Sequence, residues 1–353
     1  MQGDPLLTVD LGAIEHNARR VVEALGGRQV VGVTKVTCGA PEVARAMLRG
    51  GCGAIGDSRL ANIARMRAAG VRAPFWLLRA MPPEAAEEVV SLADVSLQSE
   101  VVTLRALDAA SARAGIRHAV VAMVDLGDLR EGMMPDSLSE FVRVAARLQH
   151  LDLIGVGTSL TCFGGVVPDA ENLGRLVRLA ADAEAVIGRR LVVSGGMSSS
   201  LDALVAGELP ARVDNLRIGE SILLGVSTVS RTPILGLRTD AITLEAPVVE
   251  VARKPSVPQG RVAQDAFGGR PAFADRGQRS RAICAIGRQD VVPEGLTPLD
   301  VGVEVLGASS DHLVLDVEGV SPPPAVGDKL RFRPSYGATL ALFTSPYVEK
   351  RFV

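Results

Sequence analysis

The chain has few of the side chains that metal sites and disulfides need: four cysteines and four histidines in 353 residues. Cys38, Cys52, Cys162 and Cys284 are scattered, with no C-x-x-C pair and no metal-like spacing. They read as reduced thiols, Cys52 and Cys284 in the core and Cys38 and Cys162 beside a pocket. His16, His118, His150 and His312 each lack a second ligand nearby in sequence, so no zinc or iron site is expected. Charge of one sign is also missing. A net charge of −2 gives no electrostatic case for a nucleic-acid or anionic-membrane partner. No apolar run approaches the ~18–20 residues that span a bilayer. The start, Met1-Gln2-Gly3-Asp4-Pro5, lacks the basic and apolar regions of a signal peptide, so a cytoplasmic location is expected.

What is present suits a globular enzyme with room for two domains: 47% apolar residues and a mean hydropathy of +0.25. From residue 6 to about 228, short apolar runs alternate with amphipathic stretches. The expected strands are Leu6–Asp10, Val30–Lys35, Ala54–Asp57, Phe75–Leu78, Val95–Leu97, Ala119–Asp125, Leu153–Thr158, Leu191–Ser194 and Asn215–Ile218. Between them lie helical patterns at Leu11–Leu25, Leu60–Ala69, Glu84–Leu92, Glu100–Ala114, Ser137–Gln149 and Ala170–Ile187. Strand–helix units repeated about eight times argue for a (β/α)8 TIM-like barrel. An open doubly wound sheet is the alternative, but no strand–G-x-G-x-x-G–helix unit supports it.

After about Val226 the helical periodicity fades. Short β-rich runs follow at Ile242–Val251, Arg281–Ile286, Val301–Leu306, His312–Val317 and Lys329–Phe332, the pattern of a smaller all-β domain. The expected division is a barrel over 6–229 and a β domain over 234–353, which residues 1–5 can join. Pro255 to Gly277, rich in turn formers, reads as a long exposed hairpin or loop.

Lys35 ends the run Val30-Val31-Gly32-Val33-Thr34, at the mouth of a barrel strand where α/β proteins keep their chemistry. Burial there would depress the amine's pKa, and a neutral lysine can form a Schiff base with a carbonyl cofactor. A strand-end lysine that merely snorkels to water is the plainer reading. The run Ser194-Gly195-Gly196-Met197-Ser198-Ser199-Ser200 combines glycines with hydroxyls directly after a late strand, the usual phosphate site of such barrels. Its plainer reading is a Gly/Ser linker. Arg217 ends another strand, either as a site cation or as the ion-pair partner of Asp214 or Glu220. Arg130 follows Asp125 in an acidic cluster with Asp128 and Glu131, which is a carboxylate-binding fork or a self-paired solvated loop.

A barrel opening on Leu7-Thr8-Val9-Asp10-Leu11, a strand-end Lys35 and a β domain together resemble the alanine racemase family of fold-type III enzymes that use pyridoxal 5'-phosphate (PLP). The likeness covers nearly the whole chain and leans to the ornithine racemase branch. It is carried by Val124-Asp125-Leu126-Gly127-Asp128-Leu129-Arg130-Glu131-Gly132, Leu160-Thr161-Cys162, Ser194–Ser200, Asn215-Leu216-Arg217-Ile218-Gly219-Glu220-Ser221 and Leu306-Gly307-Ala308-Ser309-Ser310-Asp311-His312.

The resemblance implies a PLP-dependent amino-acid racemase in which Lys35 holds the cofactor and acts as acid–base on one face of Cα. Ser198, Gly219, Glu220 (through its backbone) and Tyr336 would hold the phosphate, Arg217 would face the pyridine nitrogen, and Arg130 would meet the substrate carboxylate. It also implies a homodimer with active sites at the interface. Asp128 or Glu131 could take the distal amine of a basic substrate such as ornithine or lysine, and Cys162 could line the substrate pocket.

Departures from the family pattern are informative. Its second base is a tyrosine in G-Y-x-D, but here Gly287-Arg288-Gln289-Asp290 places Arg288 there, and the chain's tyrosines are Tyr336 and Tyr347. Arginine is not a proton-abstracting base at neutral pH. The candidates to replace it are His312, Asp311, Asp265, Cys162 or a water, histidine being the usual general base near neutrality. Met123 stands where the family has a lysine that can be carbamylated, and Ser159 near its ring-stacking histidine. The rival readings are an aldolase-type lyase, a decarboxylase, or a non-catalytic PLP carrier. A carrier is typically a barrel alone, so the β-rich region weighs against it.

Overall fold

The structure, a computed structural model, describes residues 3–270 and 272–353. Of the segments read above, Met1 and Gln2 at the N-terminus and Pro271 in the Pro255–Gly277 loop lie outside the described residues. The chain divides into two compact units, Leu11–Thr239 and a second made of the residues up to Asp10 with Asp240–Val353.

The first strand of the chain, β1 (Leu6–Val9), corrects the sequence reading. It was expected to open the barrel. Instead it pairs antiparallel with β10 (Ile242–Pro255), Leu6 opposite Glu245 and Val9 opposite Ile242, and belongs to the second unit. The reason is that Leu6, Leu7 and Val9 carry the same local signal as any buried strand, and nothing local names a partner.

The remaining expected strands close into an eight-stranded parallel barrel: β2 (Gln29–Val33), β3 (Ala54–Asp57), β4 (Phe75–Leu77), β5 (Val95–Gln98), β6 (His118–Met123), β7 (Leu151–Gly157), β8 (Val192–Ser194) and β9 (Asn215–Ile218). β9 closes the ring onto β2, with Val31 opposite Arg217. Strands covered on both faces need near-continuous apolar runs, which these segments supply. The helices fall close to their expected places, among them Leu11–Ala24, Leu60–Ala68, Val101–Ala114, Leu138–Ala145 and Ala170–Ile187. The last begins at a capping box between Asp169 and Asn172, which satisfies two backbone donors at once.

The barrel interior is filled by Val31, Ala54, Trp76, Val95, Leu97, Val121 and Met123. It is a core rather than a pore, so chemistry is confined to the strand ends. Met123 belongs to this apolar cluster and is 3% exposed. His118 is buried, its Nε2 2.9 Å from Ser96 Oγ, and burial lowers its pKa to about 4.

The second unit is an antiparallel sheet ordered β12 (Leu296–Pro298), β15 (Lys329–Pro334), β10, β11 (Gln278–Cys284), β14 (Leu313–Asp316), β13 (Glu304–Ala308). β1 joins it through β10 and also pairs, in parallel, with β16 (Glu349–Phe352). The hairpin between β10 and β11 closes at Pro255 opposite Gln278, and most of the described residues between them are exposed, as expected of that stretch. One helix, Tyr336–Thr344, was not foreseen. Glycine, two threonines and aromatic residues are weak helix formers, and they hid it from local reading.

Candidate active site

The site is built where β2 ends. Thr34 follows the strand and is fully buried, and Lys35–Thr37 form a single 3-10 turn. The Thr34 carbonyl accepts from Thr37 N (3.0 Å), Thr37 Oγ1 (2.9 Å) and Gly39 N (3.2 Å). Lys35 is exposed, which corrects the expectation of a buried amine: the strand ends at Val33 and the turn lifts the next inward position out of the core.

Arg217, on the strand paired with β2, is 3% exposed. Its guanidinium donates to Ser194 Oγ, to the Thr158 carbonyl (2.5 Å) and to Ser159 Oγ (3.2 Å). Burial, reinforced by the charge of Arg130, lowers its pKa to about 10, so it remains a cation at neutral pH. The ion-pair reading fails. Asp214 pairs with Arg190 and Arg212, Glu220 pairs with Arg231, and no carboxylate among the described residues pairs with Arg217. A buried cation bonded only to neutral oxygens is costly unless a further acceptor meets it. The charges of Arg130 and Glu131 both reach Arg217, which gathers these residues at one mouth.

Beside it, the Ser194–Ser200 run is a compact loop and not a solvated linker. Ser200 Oγ donates to the Gly195 carbonyl at 2.7 Å, and Ser198, Ser199 and Ser200 are buried. Ser198 Oγ accepts from Gly219 N and Ser221 N, both at 3.3 Å. Ser199 Oγ is buried with no partner. A Cβ on Gly219 would lie 2.9 Å from Val33 Cβ, so close approach requires this glycine, while Gly196 is required by its left-handed φ of 105°. Gly219 thereby brings this loop against the end of β2, two residues before Lys35. Hydroxyls, backbone N–H groups and an orphaned Oγ around a glycine-lined recess fit a phosphate, and the neighbouring Arg217 fits an aromatic nitrogen acceptor. The Glu220 side chain is not part of the recess. It pairs with Arg231, and burial raises its pKa against the opposing charges of Arg231 and Lys35.

The loop from Asp125 to Met133 is pinned at both ends. Asp125 Oδ1 accepts from Gly127 N (2.8 Å) and Leu129 N (3.2 Å), and Met133 N donates to the Met123 carbonyl (2.9 Å). Arg130 is exposed and pairs with Glu131 at 3.2 Å, while Glu131 also accepts from Ala80 N at 2.6 Å. Asp128 departs from the sequence reading. It is 1% exposed, and its oxygens accept from Cys162 N (3.1 Å), Phe163 N (2.9 Å) and Val166 N (3.4 Å). The carboxylate staples the following loop and is not open to a substrate amine. Cys162 is exposed on that loop, its Sγ 3.4 Å from Met197 Sδ.

The remaining candidates lie in the second unit. Tyr336, half-buried, opens the helix Tyr336–Thr344. Asp311 and His312 are exposed in the β13–β14 hairpin, where Ser310 Oγ donates to Asp311 Oδ2 at 2.7 Å. Arg288 N and Gln289 N donate to the Ser309 and Ser310 carbonyls (2.9 and 3.0 Å), so the Gly287–Asp290 stretch and this hairpin form one tip. The Arg288 side chain turns to Glu294 at 2.5 Å. Asp265 is spent on its own turn, accepting from Phe267 N and Gly269 N.

Sequence reading missed Thr34, Asp57 and Asn62. Asp57 had a signal, a carboxylate at the C-terminal end of a barrel strand. The others are ordinary polar residues, and only their burial singles them out.

A family model described as alanine racemase, N-terminal domain, matches residues 9–227. The chain belongs to the alanine racemase family. It is an enzyme, and two curated relatives match it almost end to end. A lysine racemase from Thermotoga maritima is 41% identical over 98% of both chains, and an ornithine racemase from Acetoanaerobium sticklandii is 38% identical over 99% of both. Among solved structures, the alanine racemase from Streptomyces coelicolor A3(2) aligns with a TM-score of 0.80 at 22% identity, covering 99% of this chain and 98% of its own. A D-threonine aldolase from Filomicrobium marinum aligns with a TM-score of 0.72 at 18% identity, covering 97% and 91%. At those identities the structural likeness concerns the fold alone.

Proposed function

We propose that the protein is a PLP-dependent racemase of a basic amino acid, ornithine or lysine, acting as a homodimer with active sites at the subunit interface in the cytoplasm. The observation that carries the reading is the buried, carboxylate-free Arg217 beside the Ser198–Gly219 recess at the mouth that bears Lys35. The nearly full-length likeness to lysine and ornithine racemases supports the substrate class.

When bound, PLP supplies an electron-withdrawing ring that lowers the barrier to losing the substrate Cα proton. Ser198 Oγ with the Gly219 and Ser221 backbone would hold the phosphate, and the family resemblance names Tyr336 for the same group. Lys35 Nζ would anchor the cofactor and is the group that would receive and return the Cα proton on one face. Arg217 stays a guanidinium and would meet the ring nitrogen as a donor without protonating it. Such a contact would keep the ring a moderate electron sink, which suits return of the proton over side reactions such as transamination. Arg130 offers the planar fork that suits the substrate carboxylate. Glu131, rather than the stapled Asp128, would take the distal ammonium, and Asp311 or His312, brought in by the proposed dimer, would be the proton donor on the opposite face.

The test is Cα deuterium incorporation in D2O with chiral analysis, using each enantiomer of ornithine, lysine, arginine, alanine and serine. Exchange with inversion, fastest on ornithine or lysine and abolished by Lys35→Ala, is the expected result. Exchange with retention would remove the opposite-face donor. Uptake of PLP without exchange on any substrate would replace the reading with a carrier or with lyase chemistry.

A further inference from the structure

We propose that Asp57 is a positioning residue for Lys35, acting through Thr34 from behind the barrel wall. The inference rests on the functional reading above, since it concerns the same lysine. Asp57 ends β3, the neighbour of β2, and is fully buried. Its Oδ2 accepts from Thr34 Oγ1 at 2.9 Å, and its Oδ1 accepts from Asn62 Nδ2 (2.9 Å) and Arg59 N (3.0 Å). Thr34 N donates to the Gly56 carbonyl at 3.0 Å, so the β2–β3 ladder is extended by one residue to the position just before the lysine.

Every polar group of Thr34 is therefore engaged. The hydroxyl and N–H tie it to β3, and the carbonyl collects the three donors of the turn that carries Lys35. That turn ends in two left-handed residues, Cys38 at φ 51° and Gly39 at φ 64°. It is pressed against Asn62, from whose Cβ a Cβ on Gly39 would be 2.6 Å away. Asn62 in turn holds Asp57. The result is a closed circuit, Asp57–Thr34–turn–Gly39–Asn62–Asp57, with the Lys35 backbone as one of its links.

The Thr34 hydroxyl, the Asn62 amide and the Arg59 N–H that donate to this carboxylate are all neutral, and burial raises its pKa. An apolar residue could pack between strand and helix at no such cost, and fully connected buried polar networks are the kind that specify one geometry. The reacting amine is the group here whose placement needs that geometry.

Thr34→Val removes the hydroxyl at nearly constant volume, Asp57→Asn alters the acceptor, and Thr34→Ser restores the hydroxyl. Four quantities are measured on the full chain: kcat and KM for racemisation, the rate at which Lys35 becomes borohydride-trappable on added PLP (by peptide mass), and the thermal midpoint. Thr34→Val is expected to lower kcat and the trapping rate about 10- to 100-fold, the range seen when a reacting group is misplaced by about 1 Å. Substrate KM should stay within about threefold, as for a loss felt in the transition state, and Thr34→Ser should recover most of both rates. Thr34→Val with unchanged kcat and trapping would overturn the proposal, whatever its thermal midpoint, by leaving only a structural role. If Asp57→Asn fails to fold, Thr34→Val and Thr34→Ser carry the test. A wild-type protein that traps no PLP on Lys35 fails a different arm: it sinks the functional reading and takes this inference with it.

Discussion

Asp128 and Glu131 sit in one loop, both near the barrel mouth, and only one of them keeps a carboxylate that a ligand can reach. Asp128 spends its oxygens on three backbone N–H groups. Removing it would orphan those donors at about 1–3 kcal/mol each, so its loss would disturb any substrate equally. Glu131 keeps part of its surface and has one cationic neighbour, Arg130, which a substrate carboxylate would draw away. Glu131→Gln is therefore expected to lower kcat/KM for ornithine and lysine about 10- to 100-fold, the weight of one charged hydrogen bond of ~1.5–3 kcal/mol, and to leave alanine nearly unaffected. Parallel steady-state assays decide it, and an equal loss on all substrates would assign Glu131 to holding Arg130. Composition and spacing named both acids; neither could tell that one was buried. Arg217 was legible as a strand-end cation, but its lack of a carboxylate partner emerged only when Asp214 and Glu220 were seen to pair elsewhere.

At the scale of elements, the recess depends on how closely one loop approaches one strand. Gly219 follows β9 and meets Val33 at the end of β2, and its backbone N–H bonds the Ser198 hydroxyl of the loop after β8. Three segments far apart in sequence share that contact. Gly219→Ala would place a methyl 2.9 Å from Val33 Cβ and 3.0 Å from its carbonyl oxygen. Relief by a backbone shift costs about 1–3 kcal/mol, so the PLP dissociation constant should rise about tenfold or more. Equilibrium binding followed by cofactor absorbance reads this directly, and wild-type affinity would mean that the recess is not the phosphate site. The sequence pointed to each segment, because Gly/Ser runs after late barrel strands have a mechanical meaning. It did not show that Ser199 Oγ would be left buried and unpartnered.

The molecule as a whole divides where the chain does not. β1 completes the sheet of the second unit although the next 229 residues, Leu11–Thr239, form the barrel unit. Leu7 is fully buried there. Leu7→Ala should cost about 2–5 kcal/mol, and amide hydrogen exchange should show the loss of protection in β10 and β16 first. Loss beginning in β2 and β9 would contradict this division. Alternation of apolar runs and helical periodicity determined the eight barrel strands, most of their helices and the strand-end positions of Lys35, Arg217 and Ser198, because those signals are written in residues a few places apart. The partner of β1, the burial of Asp128 and the Thr34–Asp57 bond across 23 residues were decided by tertiary structure alone. Each depends on which distant segment arrives, and side-chain periodicity carries no record of that.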